Sequence, residues 1–409
     1  MESKQRAVSR LIAQAGQMLL AHGAESTLVG DIMRRMGLAS GMSEVEVSLS
    51  ASSLVVTTVY KEHCITTARR SPDRGINMRV VTQIQRICIM MEKGILDHSL
   101  AQRKLNHISP ERYNRWLVVV MIGLSCAAFS RLAGGDWMVF LITLIASSVG
   151  MIVRQEIGHR QFNPLINFAA TAFVTSVISA QAVIYQLGNK PTIVMASSVL
   201  MLVPGFPLIN AVADMLKGYI NMGIARFVMA SLLTLATALG IVAAMSITGI
   251  GGGNVKLGSV FRTTQRHVFC RDSGGWVCFS LQCACARIEI LCVRWCTWSW
   301  LAYLMMHFGV PIEWASFAAT LVGMVGVYWS RRFLAHPKVF TVAALIPMVP
   351  GVFAFKAMIA LVEINHVGFS PELMEALLEN FLKAMFIIAG LAVGLAVPGL
   401  LFYRRKPII

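Results

Sequence analysis

Val203-Pro204-Gly205-Phe206-Pro207-Leu208-Ile209-Asn210-Ala211-Val212-Ala213-Asp214 interrupts one long apolar run of the chain, and Val349-Pro350-Gly351 interrupts another. Proline withholds a backbone donor and crowds the preceding turn, while glycine permits close approach. Pro-Gly inside an apolar span therefore frees backbone groups that lipid cannot satisfy. Such a break must face protein or a water-filled cavity. A single break is more often a plain kink packed against a neighbour, but paired breaks in corresponding positions of two halves point to a transporter's binding site. The pair predicts a polytopic α-helical membrane protein.

Composition agrees. The chain has 409 residues, 56% of them hydrophobic and only 14% charged, with a mean hydropathy of +0.65. That is more apolar surface than a soluble fold of this length requires. The net charge of +16 does not imply nucleic acid, because arginine and lysine cluster in short segments between apolar runs, where topogenic charge accounts for them. Residues 1–24 are polar and amphipathic without a continuous apolar core, so no cleavable signal peptide is expected and the amino terminus is expected in the cytoplasm.

Residues 1–115 read as a cytosolic α+β domain. Leu11, Ile12, Ala15, Met18 and Leu19 recur at helical spacing, and His22-Gly23-Ala24-Glu25-Ser26 supplies a stop and a new cap. Alternation around Val45, Val47 and Leu49 and the β-branched run 54–60 predict two or three strands. A helix over about 78–97 follows Arg74-Gly75-Ile76-Asn77-Met78.

Spans are expected at 116–134, 136–153, 165–187, 192–212 and 223–249, each near the ~20 residues a crossing needs. Arg154, His159 and Arg160 are read as a loop after the second span, and Lys217 and Arg226 as one between the fourth and fifth. The positive-inside rule then places the amino terminus inside and residue 250 outside. Further spans are expected at 312–329, 338–362 and 376–402, with Arg404, Arg405 and Lys406 marking a cytoplasmic tail. If 250 and 311 both lie outside, the chain between them crosses an even number of times. Two crossings give five spans per half, with the second half inverted.

Residues 250–303 fit that scheme badly. They carry Lys256, Arg262, Arg266, Arg271, Arg287 and Arg294, together with six of the nine cysteines. Cys283, Cys285, Cys292 and Cys296 offer four thiolates, but not at the spacing of a zinc module, so no metal or other cofactor is expected. A shifted reading frame explains the stretch better. Residues 282–300 can be encoded by codons that, read one base later, spell N-V-P-V-R-A-L-K-Y-C-A-F-V-G-A-L-G-H-G, an ordinary apolar span.

The 22–26 and 74–78 motifs, and above all 203–215, resemble the amino-terminal part of the threonine/serine exporter family. Residues 312–405, with Ala335-His336-Pro337-Lys338 and Ile346-Pro347-Met348-Val349-Pro350-Gly351, resemble its carboxyl-terminal part. The likeness covers about 1–249 and 304–409 and is close to a version in which the two parts are separate chains, regarded as a succinate exporter. It implies export of succinate-class or threonine/serine-class substrates across the bacterial inner membrane. It also implies a homo-oligomer or a complex with separate family subunits.

The domains expected are 1–115 (cytosolic), 116–249 (first five-helix unit), 250–303 (aberrant linker) and 304–409 (the incomplete second unit). The substrate pathway is expected to use Pro204, Gly205, Pro207, Asn210 and Asp214 from the first break and Pro350, Gly351 and Lys356 from the second. The motif offset of 349 − 203 = 146 sets Lys356 opposite Asn210. A charge within a span costs about 2.5–3.5 kcal/mol on insertion scales, so Lys356 is a candidate carboxylate binder and Asp214 a candidate proton carrier. The plainer readings are snorkelling for Lys356, helix-end anchoring for Asp214 and carbonyl capping beside Pro207 for Asn210. Asn167, Thr171, Thr175, Ser176 and Ser179 form a polar stripe that suits helix packing first and pathway lining second.

The function expected is a secondary exporter of small carboxylates or amino acids, not an enzyme, with the bilayer and a small organic anion or amino acid as its partners. One alternative is a membrane-anchored hydrolase using His22, Glu25, His63 and Cys64, although no Gly-x-Ser-x-Gly, Walker or HExxH motif accompanies them. The other is a nonfunctional fusion of two transporter subunits.

Overall fold

The computed structural model describes residues 2–249 apart from 73, 111–112 and 133, then 368–402 and isolated positions between 320 and 364. The Val349-Pro350-Gly351 break, the spans expected at 312–329 and 338–362 and the cysteine-rich stretch 250–303 lie outside the described residues, save for isolated positions that include Lys356.

The amino-terminal unit consists of α1 (Glu2–Ala21), α2 (Ser26–Ala39), β1 (Glu44–Leu49), β2 (Ser53–Tyr60), β3 (His63–Arg70), α3 (Met78–Glu92) and α4 (His98–Asn106). The strands form an antiparallel meander in the order β1-β2-β3, with Leu49 opposite Leu54 and Tyr60 opposite His63. Lys61 and Glu62 turn between β2 and β3 with φ of 45° and 68°, the left-handed values that a two-residue hairpin needs to match strand twist. Val45, Leu54 and Val56 point inward onto α1 and α2, and join Leu11, Ile32 and Ile84 in one core. Gln5 on α1 donates to the Thr58 and His63 carbonyls, both at 2.9 Å, tying the helix across two strands. The helix expected over 78–97 ends at Glu92, and α4 is an element the sequence reading lacked.

Then follow α5 (Arg115–Leu132), α6 (Trp137–His159), α7 (Pro164–Ile184), α8 (Pro191–Ser198), a 3-10 turn (Leu200–Leu202), α9 (Gly205–Leu216), α10 (Ile220–Thr248) and α11 (Pro371–Phe402). Among the described residues α6, α7, α10 and α11 are long and apolar enough to cross a membrane. The α8–α9 pair, bent by 52°, makes a fifth crossing if counted as one broken span.

Two expectations are corrected here. The second span does not stop at 153 but runs to His159, which puts Arg154 inside a helix instead of a loop. Arg226 likewise lies in the second turn of α10.

Burial in this region runs opposite to that of a soluble core. Large apolar side chains such as Leu141, Ile145, Ile224, Leu239 and Phe386 are exposed, while Thr143, Ser147, Thr171, Ser179 and Thr237 are buried. Lipid tails are as apolar as leucine, so helices in a bilayer gain by close backbone packing through small residues and leave the large ones outside. An added Cβ at Gly240 of α10 would lie 2.3 Å from the Ala169 carbonyl oxygen, so α7 and α10 touch through backbone. The chain is a multi-pass membrane protein.

Candidate functional site at the broken span

In a continuous helix the Gly205 N–H would donate to the Met201 carbonyl. Pro204 removes the next donor, the backbone turns, and Gly205 donates instead to the Val203 carbonyl at 2.9 Å. The Met201 carbonyl is thereby orphaned inside an apolar region. Arg154 of α6 answers it with Nη1 at 3.1 Å, and the guanidinium lies 4.6 Å from the centre of the Phe168 ring on α7. A break expected to free a carbonyl thus has its partner in the residue first read as loop charge.

The polar stripe of α7 runs beside the same residues. Asn167 donates to the Arg154 carbonyl at 3.2 Å, and the Thr171 hydroxyl donates to Asn167 Oδ1 at 3.3 Å. One turn further, Gly150 of α6 leaves room for Thr175: a Cβ there would lie 2.1 Å from Thr175 Oγ1 and 2.8 Å from Met201 Cε. Most buried hydroxyls in these helices return to their own backbone, as Thr143, Ser147, Ser179, Thr234 and Thr237 do. The hydroxyls of Thr175 and Ser176 are buried and have no hydrogen-bond partner among the described residues. Buried polar atoms are rarely left so.

The other arm of the break faces the amino-terminal unit. Phe206, one residue into α9, joins the core of that unit. Asn210 donates to the Gly23 carbonyl at 3.4 Å. Asp214 accepts from Ser26 N at 3.1 Å, from Ser26 Oγ at 2.9 Å and from Arg226 Nη1 at 2.5 Å, while Arg226 Nη2 donates to the Ala24 carbonyl at 2.9 Å. Lys217 Nζ pairs with Glu25 Oε1 at 2.5 Å.

The local cause is a missing cap. Glu25 stands at the N-cap of α2 but makes no side-chain cap bond, because its carboxylate is turned to Lys217. The free N–H groups and positive end of α2 are met instead by Asp214 from α9. The 74–78 motif braces the same loop, with Arg74 N donating to the Ala21 carbonyl at 2.9 Å and Asn77 N to the His22 carbonyl at 3.2 Å. His22 Nδ1 lies 2.7 Å from the Met18 carbonyl at the end of α1.

Of the residues expected to line a pathway, Pro204, Gly205 and Pro207 lie in or beside the bend, while Asn210 and Asp214 turn toward residues 23–26. Pro350 and Gly351 lie outside the described residues. Lys356 Nζ sits 5.6 Å from the Phe353 ring centre. Arg154 is the residue the sequence reading missed as part of the site. Its signal was present: an arginine only one residue past an apolar run can as readily extend the helix as end it.

A broken span whose freed carbonyl is held by a neighbouring helix, within a multi-pass bundle, is an arrangement that membrane transport proteins share. Residues 10–248 match the family described as "Putative threonine/serine exporter", and residues 275–401 match "Threonine/Serine exporter, ThrE". The chain belongs to the threonine/serine exporter family. It is 50% identical over 252 residues to the "Probable succinate transporter subunit YjjP" of Klebsiella aerogenes, and 51% identical over 252 residues to the protein of that name in Escherichia coli K12. Each alignment covers 61% of this chain and 98% of the relative. An uncharacterized protein of Haemophilus influenzae Rd is 36% identical over 406 residues, 99% of this chain and 98% of the relative. The second family match begins at residue 275, earlier than the 304 expected from the motifs. No solved structure matches the chain.

Proposed function

We propose that this chain is a secondary exporter of small carboxylates or amino acids in the bacterial inner membrane, with residues 2–106 and both termini on the cytoplasmic side. The observation that carries the reading is the break at Val203-Pro204-Gly205, whose orphaned Met201 carbonyl is held by Arg154 inside a helical bundle. Membrane-embedded backbone of this kind is tolerated where it is buried in protein or lines a cavity, and such breaks are where transporters of this architecture bind their cargo. The succinate named for the YjjP relatives and the threonine and serine named for the family define the substrates to try first.

Contact between the family's two parts supports a single working unit. Ile388 of α11 packs with Leu208 of α9 and Ala230 of α10, so the last helix of the second part seats directly on the broken span of the first. In this reading Pro350, Gly351 and Lys356 of the second break contribute to the same pathway.

Inside-out vesicles carrying the chain test the proposal. Labelled succinate or threonine should accumulate when a proton gradient is imposed and should leave when an ionophore collapses it. Accumulation of neither substrate above empty vesicles would overturn the reading.

A further inference from the structure

Between α6, α7 and the break lies a cation with spare donors. Arg154 has five N–H donors, and one of them is used on the Met201 carbonyl. No carboxylate among the described residues pairs with it, whereas Arg115 and Arg160 both reach Glu156 at the solvent-facing end of the same helix. Snorkelling would take the guanidinium toward that end, five residues or about 7.5 Å of helix away. The side chain lies instead against Phe168 and the break. A guanidinium held on an aromatic face and a single carbonyl, with its remaining edge uncommitted, suits the planar fork of a carboxylate.

A second observation points to the same place. Thr175 is fully buried, its hydroxyl makes no hydrogen bond among the described residues, and it faces Gly150 and Met201, one helical turn along α6 from Arg154. A missing Cβ at position 150 is what admits it. Asn167 and Thr171 satisfy one another and the Arg154 carbonyl, fixing the guanidinium's own backbone.

We propose that Arg154, with Thr175, forms a binding site for a carboxylate group between α6 and α7 beside the first break. Arg154 takes the carboxylate through its uncommitted N–H groups, and Thr175 donates its hydroxyl. The site rests on the exporter reading only for its physiological use, since a carboxylate can be bound without being moved.

The test is thermal unfolding of the purified full chain in detergent, with succinate, L-threonine or the neutral diamide of succinate as probe. The carboxylates should raise the melting temperature of the wild-type chain and the diamide should not. Arg154→Gln should abolish the shift. Arg154→Lys, which keeps the charge and loses the fork, should raise the concentration needed by about tenfold to a hundredfold. Thr175→Val should weaken binding without altering the unliganded chain's elution. An undiminished shift in Arg154→Lys and Thr175→Val, or equal shifts from succinate and its diamide on the wild-type chain, would overturn the site. Vesicle flux separates the two proposals. Flux with binding indifferent to Arg154 removes the site and leaves the exporter; Arg154-dependent binding without flux does the reverse.

Discussion

The hydroxyl of Ser26 donates to the carboxylate of Asp214 at 2.9 Å, across 188 residues of sequence. Ser26 opens α2 in the amino-terminal unit, and Asp214 lies near the end of α9, the arm that leaves the break. Two of the motifs that carry the family resemblance, 22–26 and 203–215, are therefore two sides of one joint. The joint fixes how α9 departs from the bend, because Phe206, Asn210, Asp214 and Lys217 all hold to the amino-terminal unit.

The Glu25–Lys217 pair gives the first test of that joint. The Glu25 side chain is 1% exposed, so reversing Lys217 alone sets two carboxylates against each other in a nearly dry site. Lys217→Glu should destabilise the chain by about 3–5 kcal/mol. Glu25→Lys with Lys217→Glu should recover a large part of the loss. Melting temperature in detergent decides it, and equal losses in the single and double variants would show that the pair does not couple.

Asp214 and Arg226 form the second test. Asp214→Asn leaves the Arg226 guanidinium facing a neutral amide and removes the charged cap of α2, a loss of about 3–5 kcal/mol. Adding Arg226→Gln removes the stranded charge, so the double variant should be more stable than Asp214→Asn alone. A double variant whose loss equals the sum of its parts would show that Asp214 and Arg226 do not couple and that Arg226 is held chiefly by the Ala24 carbonyl. Denaturant unfolding gives the four corners of that cycle.

How much of this was legible follows from what each signal measures. Hydropathy located α6, α7, α10 and α11, and the Pro-Gly rule located the first bend, because both are local properties of the backbone and its solvent. Helix ends were less legible. Arg154 follows an apolar run in the manner of a loop charge, and only the break on another helix tells why it stays inside. The edge strand β3 carries His63, Cys64, Arg69 and Arg70 and is exposed at most positions, so it lacked both the apolar alternation that identified β1 and the β-branched run that identified β2. The Ser26–Asp214 joint was not legible at all. Nothing in residues 22–26 states that the partner of α2 lies on a helix beginning at residue 205.

The close approach of α6 to α7 makes a third prediction. Gly150→Ala places a methyl where Thr175 Oγ1 stands, 2.1 Å away, and should cost about 1–3 kcal/mol through overpacking. Thr175→Ala in the same chain removes the obstacle, so the double variant should regain most of the loss. Gly240→Ala has no such remedy, since its obstacle is the Ala169 backbone carbonyl. Melting temperatures of the three variants distinguish a side-chain clash from a backbone one.

Residues 250–303 yield a fourth. Resequencing of the gene should find the alternative frame open between codons 250 and 304, encoding the apolar string that begins N-V-P-V-R-A-L-K. Restoring that frame should raise flux in the vesicle assay over the present chain. Continuous reads with stops in the other frame would refute the shift and make the six cysteines and the basic side chains here native features of the chain.

Asp31 gives a test by pH. Burial raises the pKa of its carboxyl above the ordinary 3.8, outweighing the attraction of Arg34, Arg35 and Lys217. A carboxyl whose folded pKa is raised means that the native state holds its proton more tightly than the unfolded chain does. Its effect is thus neutral at pH well below 3.8 and increasingly destabilising as pH climbs through the raised folded value, where it levels off. Asp31→Asn should accordingly raise the melting temperature at pH 7 by a small margin, and the gain should shrink as the buffer is taken down toward pH 4. Tyr219 supplies an internal check, because its phenol is held above the usual value by burial first and by Asp31 second. In the Asp31→Asn chain the Tyr219 phenol should ionise at lower pH, read from its ultraviolet absorbance against a Tyr219→Phe blank. A stability gain that is the same at pH 4 and pH 7 would assign the effect to packing and not to charge.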